Sequence, residues 1–110
     1  MPHQWTPEGV VIQAEFTGAH LYHLAAAGCV LNDLYREAER LGITLQGAQV
    51  RAAGEFDRTT WSSTGIEYAV DIASEATDTE VNGLLAVVDE VAEIPRALRC
   101  GTSVTRKPTG

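Results

Sequence analysis

The side chains best suited to chemistry in this 110-residue sequence are two thiols, Cys29 and Cys100, with His20, His23 and Tyr22 clustered just ahead of the first. A thiol attacks or ligates only as the thiolate, so its capability depends on what lies beside it. Cys29 sits within Thr17–Ile43, TGAHLYHLAAAGCVLNDLYREAERLGI. At helical spacing its neighbours are Tyr22, Ala26 and Asp33, on the flank of an apolar stripe. A thiol there meets either a pocket or the core, and free Cys is among the most buried residue types. His23 reads in two ways as well, as a core histidine or as a polar group of a pocket, while His20 stands at the helix start. No pair of these residues has ligand spacing such as C-x₂₋₄-C, so a zinc site is not supported and no cofactor is called for.

The element that positions these groups is a single long helix. Leu, Ala, Glu and Arg dominate Thr17–Ile43, and all are strong helix formers. Thr17 is a natural N-cap and Gly42 the stop residue after a last turn containing Arg40. On a helical wheel Leu21, Leu24, Gly28, Leu31, Tyr35 and Ala38 form one apolar stripe; His23, Ala27, Val30 and Leu34 form a second beside it. Together they span roughly 220° of the wheel, against the ~100° that covers one core. A chain of this size can hardly bury both sides. The expectation is a homodimer packed through the Leu21–Leu34 helix.

The rest of the chain supplies the other layers. Met1–Gly9 reads as an irregular arm with Trp5 as an apolar anchor, and Val10–Phe16, VVIQAEF, as a strand entering the helix. Ile43–Phe56 reads as a strand bent near Gly47, and Asp57–Gly65 as a Thr- and Ser-rich turn. Ile66–Ile72 is the clearest strand, with Ile66, Tyr68, Val70 and Ile72 on one face. Thr77-Asp78-Thr79-Glu80 is a capping box opening a second helix, whose stripe is Val81, Leu84, Leu85, Val88 and Val91. Pro95–Leu98 reads as a short separate turn, Cys100–Thr105 as a last strand, and Arg106–Gly110 as a flexible tail. The whole, residues 1–110, reads as one α+β domain.

Composition narrows the partners. Hydrophobic residues make up 45% of the chain and its formal net charge is −7. All 15 acidic residues precede Pro95, together with only four of the eight basic ones; Arg96, Arg99, Arg106 and Lys107 follow it. An acidic body argues against nucleic acid, because phosphate binding needs a positive field. The apolar run Leu21–Leu31 falls short of the ~20 residues a membrane span requires. No signal-peptide pattern precedes it, so the expected location is the cytoplasm, where two reduced cysteines are ordinary.

Two segments taken together resemble the OsmC/Ohr family of osmotically inducible and organic-hydroperoxide-resistance proteins. HLYHLAAAGCVLNDLYREAERLGI is similar to the family's central helix with its peroxidatic cysteine. VRAAGEFD, with STGIEYAVDIASEATDTEVNGLLAVVDEVAEIPRALRCGTSV, is similar to its later strands, its second helix and the helix end that carries a Cys-Pro. The resemblance implies an antiparallel-rich sheet packed on a long central helix plus a second helix, with the family's N-terminal hairpin shortened. It also implies dimers with active sites at the subunit boundary, and thiol-dependent reduction of hydroperoxides. That chemistry needs a thiolate, a cation to hold it ionised, a carboxylate to orient the cation and a resolving thiol.

Carried over residue by residue, the resemblance keeps only part of this set. Cys29 matches the peroxidatic position. The family carboxylate falls at Ala19 or His20, the resolving cysteine falls at Ile94, and the hairpin that supplies an arginine has no counterpart before Val10. Two enzymatic or binding readings follow. In the first, Cys29 attacks a hydroperoxide, Arg96 or Arg99 supplies the charge and Cys100 resolves. In the second, an OsmC-like dimer has given up peroxidase turnover for a small hydrophobic molecule, bound or transformed near Cys29 with Tyr22, His20 and His23 as its polar groups. A non-catalytic interaction module is the third. The second is the expectation adopted, with Cys29 lining a pocket and no efficient Cys29–Cys100 disulfide.

Overall fold

The computed structural model describes residues 1–108. Its central element is helix α1, Gly18–Leu41, close to the span expected from sequence. The Thr17 side chain accepts a hydrogen bond from the His20 N–H at 3.0 Å and satisfies one orphan donor of the first turn. At the other end Gly42 takes a left-handed conformation, φ +73°, which a side chain would resist. That turn lets the Ile43 N–H close back on the Ala38 carbonyl at 2.8 Å.

Strands β1, Gly47–Phe56, and β2, Ser63–Ala73, form an antiparallel pair with Gly47 opposite Ala73 and Val50 opposite Val70. A register shift between Glu55 and Phe56 closes the hairpin end of the pair. The alternation read in Ile66–Ile72 holds: Ile66, Tyr68, Val70 and Ile72 face inward and the residues between them face solvent. Helix α2, Asp78–Val91, opens on the expected capping box, Thr77 and Glu80 each serving the other's backbone. Helix α3, Glu93–Cys100, follows after Ala92.

The core lies where α1 meets α2. Val30, Leu34 and Ala38 interlock with Leu84, Val88 and Ala92, all but sealed from solvent. Val50, Tyr68, Val70 and Ile72 cover the cluster from the sheet. Of the two stripes on α1, the one with His23, Ala27, Val30 and Leu34 is buried, whereas Leu21 remains 43% exposed and Gly28 is open.

Several expectations require correction. Val10–Phe16 is not a strand: among the described residues it has no ladder partner, and Val11 and Phe16 stand 87% and 88% exposed. The strand expected at Ile43 begins only at Gly47, because Ile43 is consumed in closing the helix. The Pro95–Leu98 turn is part of an eight-residue helix, in which Pro95 occupies the first turn where no N–H is needed. Cys100 ends that helix instead of starting a strand, and Gly101–Thr105 is irregular, with Val104 93% exposed. Of the expected tail, Thr109 and Gly110 lie outside the described residues.

Candidate functional site

Cys29 lies half-buried on α1 at the edge of the core, facing the start of α3. Burial pushes its thiol pKa above the ordinary value, and the carboxylates of Asp33 and Glu93 push the same way; backbone hydrogen bonds from Ile94 and Glu93 oppose them. Asp33 stands one helical turn after Cys29 and is itself buried, 3% exposed, held by Arg36 at 3.2 Å and by the Asn32 amide at 3.1 Å. Among the described residues no cation acts on the sulfur. Asp33 was visible in the sequence as a helical neighbour of Cys29. Glu93 was not, because it arrives through the α1–α3 packing.

The residues expected to serve Cys29 are elsewhere. Arg99 donates to the Asp89 carboxylate at 2.9 Å and to its backbone carbonyl at 3.1 Å, while Arg96 donates to the Glu90 carbonyl. Both guanidinium groups thus satisfy the open carbonyls at the end of α2. Tyr68 donates to the same Asp89; burial first, and then the neighbouring carboxylate, raise the phenol to about 12. Cys100 is exposed and both thiols are free. Ile94 at the start of α3 meets Cys29, and Cys100 closes that helix six residues on.

The histidines sit on another face. His20 is exposed, bonded to Thr17 at 2.5 Å and facing Glu15 at 3.4 Å. His23 is 7% exposed, and its Nε2 has no hydrogen-bond partner among the described residues. Its ring packs against Tyr22 and Phe56, with centroids 5.7 and 6.2 Å away. Gly54 makes that fit possible: a Cβ there would stand 2.8 Å from His23 Nε2 and overlap the Gly65 carbonyl oxygen.

His20, His23, Leu24, Ala27 and Leu31 of α1 face β1 across an open groove of about 930 Å³, fenced by Val10–Ala14. Cys29, Tyr22, Arg96 and Arg99 are not in its lining. The groove and the thiol are therefore separate features of α1. The arm is tied to the helix beside the groove: His3 Nε2–H donates to Asn32 Oδ1 at 3.0 Å and its Nδ1 accepts from Thr6 at 2.8 Å. Sequence reading missed His3, Asn32 and Gly54, whose roles depend on contacts between distant segments. Among the described residues no helix is long and apolar enough to cross a membrane.

A family model described as OsmC-like protein matches residues 13–107. Among solved structures the chain is similar to an OsmC-like protein from Mycoplasma pneumoniae, with a TM-score of 0.71 and 18% identity over 76% of this chain. It is similar to an OsmC-like hydroperoxide resistance protein from Jannaschia sp., with a TM-score of 0.66 and 15% identity over 86% of this chain. An OsmC-like protein of unknown function from Vibrio cholerae gives a TM-score of 0.57 at 11% identity over 73% of this chain. The chain spans 62%, 67% and 56% of those three proteins' lengths. No curated protein sequence matches it.

Proposed function

The chain belongs to the OsmC-like family, and from that premise we propose that it is a thiol protein without efficient peroxidase turnover, serving as a dimeric binder of a small hydrophobic molecule. The observation that carries this reading is the setting of Cys29, a half-buried thiol beside two carboxylates with no cation acting on it among the described residues. Peroxide attack runs through the thiolate, and each of these features disfavours the anion. The resolving step is equally ill served. Cys100 is exposed and closes α3 six residues, roughly 9 Å along the helix, beyond the Ile94 that meets Cys29.

The dimer belongs to this proposal. Leu21, Leu24, Gly28 and Leu31 form an incompletely covered apolar stripe on α1, and Val11, Ile12 and Phe16 of the preceding segment are exposed as well. Apolar surface left open in this way favours a two-fold contact with a second copy. Light scattering tests it: the expected mass is twice the 11.8 kDa of the monomer, and a clean monomer at micromolar concentration refutes it.

The competing reading is a hydroperoxide reductase using Cys29. In its favour, Ile94, at the position of the family's resolving cysteine, does meet Cys29, and the similar Jannaschia protein is a hydroperoxide resistance protein. Treatment with one equivalent of cumene hydroperoxide followed by peptide mass spectrometry separates the two. Slow loss of thiols with no linked Cys29–Cys100 peptide is the expected result; rapid, complete linkage establishes the reductase.

A further inference from the structure

Resting on the dimer reading above, we propose that the groove between α1 and β1 is filled by the Val10–Phe16 segment of a second copy, added as a strand to the open edge of β1. Strand β1 pairs with β2 alone, so among the described residues its other edge has no ladder partner. Every residue from Ala48 to Gly54 lines the groove. Side chains alternate between the two faces of a strand. Seven consecutive residues can therefore line one groove only along the strand's edge, where its unpaired N–H and C=O groups lie. An open edge is a template for another strand unless charge or proline blocks it. This stretch, AQVRAAG, has no proline and a single charge, Arg51, which is paired with Asp71 of β2 at 2.8 Å.

The occupant is written in the same chain. Val10–Phe16, VVIQAEF, has the β-branched and aromatic composition of a strand, and Val11 and Phe16 are left exposed. Its seven residues match the seven of Ala48–Gly54, each stretch spanning about 23 Å at 3.3 Å per residue. The chain's own segment is held across the groove from β1. On one side of it His3 ties the arm to Asn32 of α1 at 3.0 Å, and on the other Thr17 caps the helix. A two-fold contact resolves this, since each copy then offers its segment to the β1 edge of the other. The segment leads through Thr17 into α1, so the added strand continues the contact made by the Leu21–Leu31 stripe. Cys29 lies outside the groove, and its setting is unchanged when the groove fills.

Disulfides formed between copies test it. In a Cys29→Ser/Cys100→Ser background, Gln13→Cys chains are mixed in turn with chains carrying Val50→Cys, Arg51→Cys, Ala52→Cys or Ala53→Cys. These four positions cover both faces of β1 and neighbouring registers. Each chain holds one cysteine, so a link can form only between copies. Mild oxidation should give a species of twice the 11.8 kDa mass in at least one mixture, with the peptide joining position 13 to β1 identified by mass spectrometry. Ala69→Cys, on the outer face of β2, should not link. No link in any of the four mixtures, or equally fast linkage to Ala69→Cys, overturns the proposal. So does a Gln13→Cys/Arg51→Cys chain that closes on itself as a monomer. If the serine background does not fold, Ile12→Pro and Gln13→Pro in the otherwise native chain decide, because one of two neighbouring N–H groups faces β1. At least one of them should raise the dimer dissociation constant by about tenfold, the worth of one backbone hydrogen bond, and two unchanged constants overturn the proposal. A dimer by light scattering that shows no link between copies sinks the strand addition alone, whereas a monomer sinks the dimer reading with it.

Discussion

Replacing Gly54 with alanine puts the packing of α1 against the sheet to a direct test. The added methyl would stand 2.8 Å from His23 Nε2 and overlap the carbonyl oxygen of Gly65. The imidazole can turn aside, but the carbonyl belongs to the backbone of β2, where Gly65 pairs with Glu55 beside the register shift. The strand pair must open, so the cost is that of overpacking, about 1–3 kcal/mol. For a domain of this size that corresponds to a fall in Tm of roughly 5–15 °C. Because the backbone contact dominates, His23→Ala should not rescue Gly54→Ala. Gly83→Ala is the internal control: that glycine lies on the exposed face of α2 with nothing near its missing Cβ. Alanine there should raise stability by about 0.5–1 kcal/mol through helix propensity alone. Thermal unfolding followed by circular dichroism, with urea midpoints alongside, reads Gly54→Ala, Gly83→Ala and the Gly54→Ala/His23→Ala double variant. A Gly54→Ala protein within ~0.5 kcal/mol of wild type, or one restored by His23→Ala, would refute the close-approach reasoning.

Other substitutions probe separate links. Asp33→Asn removes the carboxylate one turn from Cys29 and should lower that thiol's pKa, seen as faster iodoacetamide alkylation at pH 8; an unchanged rate means Asp33 does not act on the sulfur. Thr77→Ala removes the cap of α2 and should cost about 1 kcal/mol in urea unfolding, with Thr77→Ser nearly neutral. Arg40→Gln should weaken acid resistance. Arg40 holds the Glu37 carboxyl below its ordinary value, so the stabilisation is present above the unfolded pKa of about 4.3 and is lost as pH falls through the folded one. The wild-type and variant curves should therefore converge below that window, and a stability gap that persists in strong acid contradicts the assignment. Tyr68→Phe should remove a phenol that otherwise ionises only near pH 12 in absorbance titrations.

The helices and the hairpin were legible because their signals are local. Thr17 and Gly42 bound α1, the T-x-x-E box opens α2, and the period-two pattern of Ile66–Ile72 marks β2. Val10–Phe16 misled because a β-rich composition says nothing about whether a partner strand exists in the same chain. Pro95 misled differently: a proline that can start a turn can equally sit in the first turn of a helix, and packing on α1 extended it to Cys100. At the site, Ile94, where the resemblance puts the family's resolving cysteine, meets Cys29 through its backbone. The capture of Arg96 and Arg99 by the end of α2, and the close approach of His23 to Gly54, arise from contacts between segments far apart in sequence.

The central claim, that Cys29 is a thiol held protonated and not a peroxidatic thiolate, is tested most directly by the pH dependence of Cys29 alkylation by iodoacetamide in the Cys100→Ser protein. The midpoint is expected above the ordinary thiol value of about 8.5, since burial and two carboxylates outweigh the two backbone hydrogen bonds. A midpoint below about 7 would mean that a cation reaches the sulfur in solution, and the account would fail.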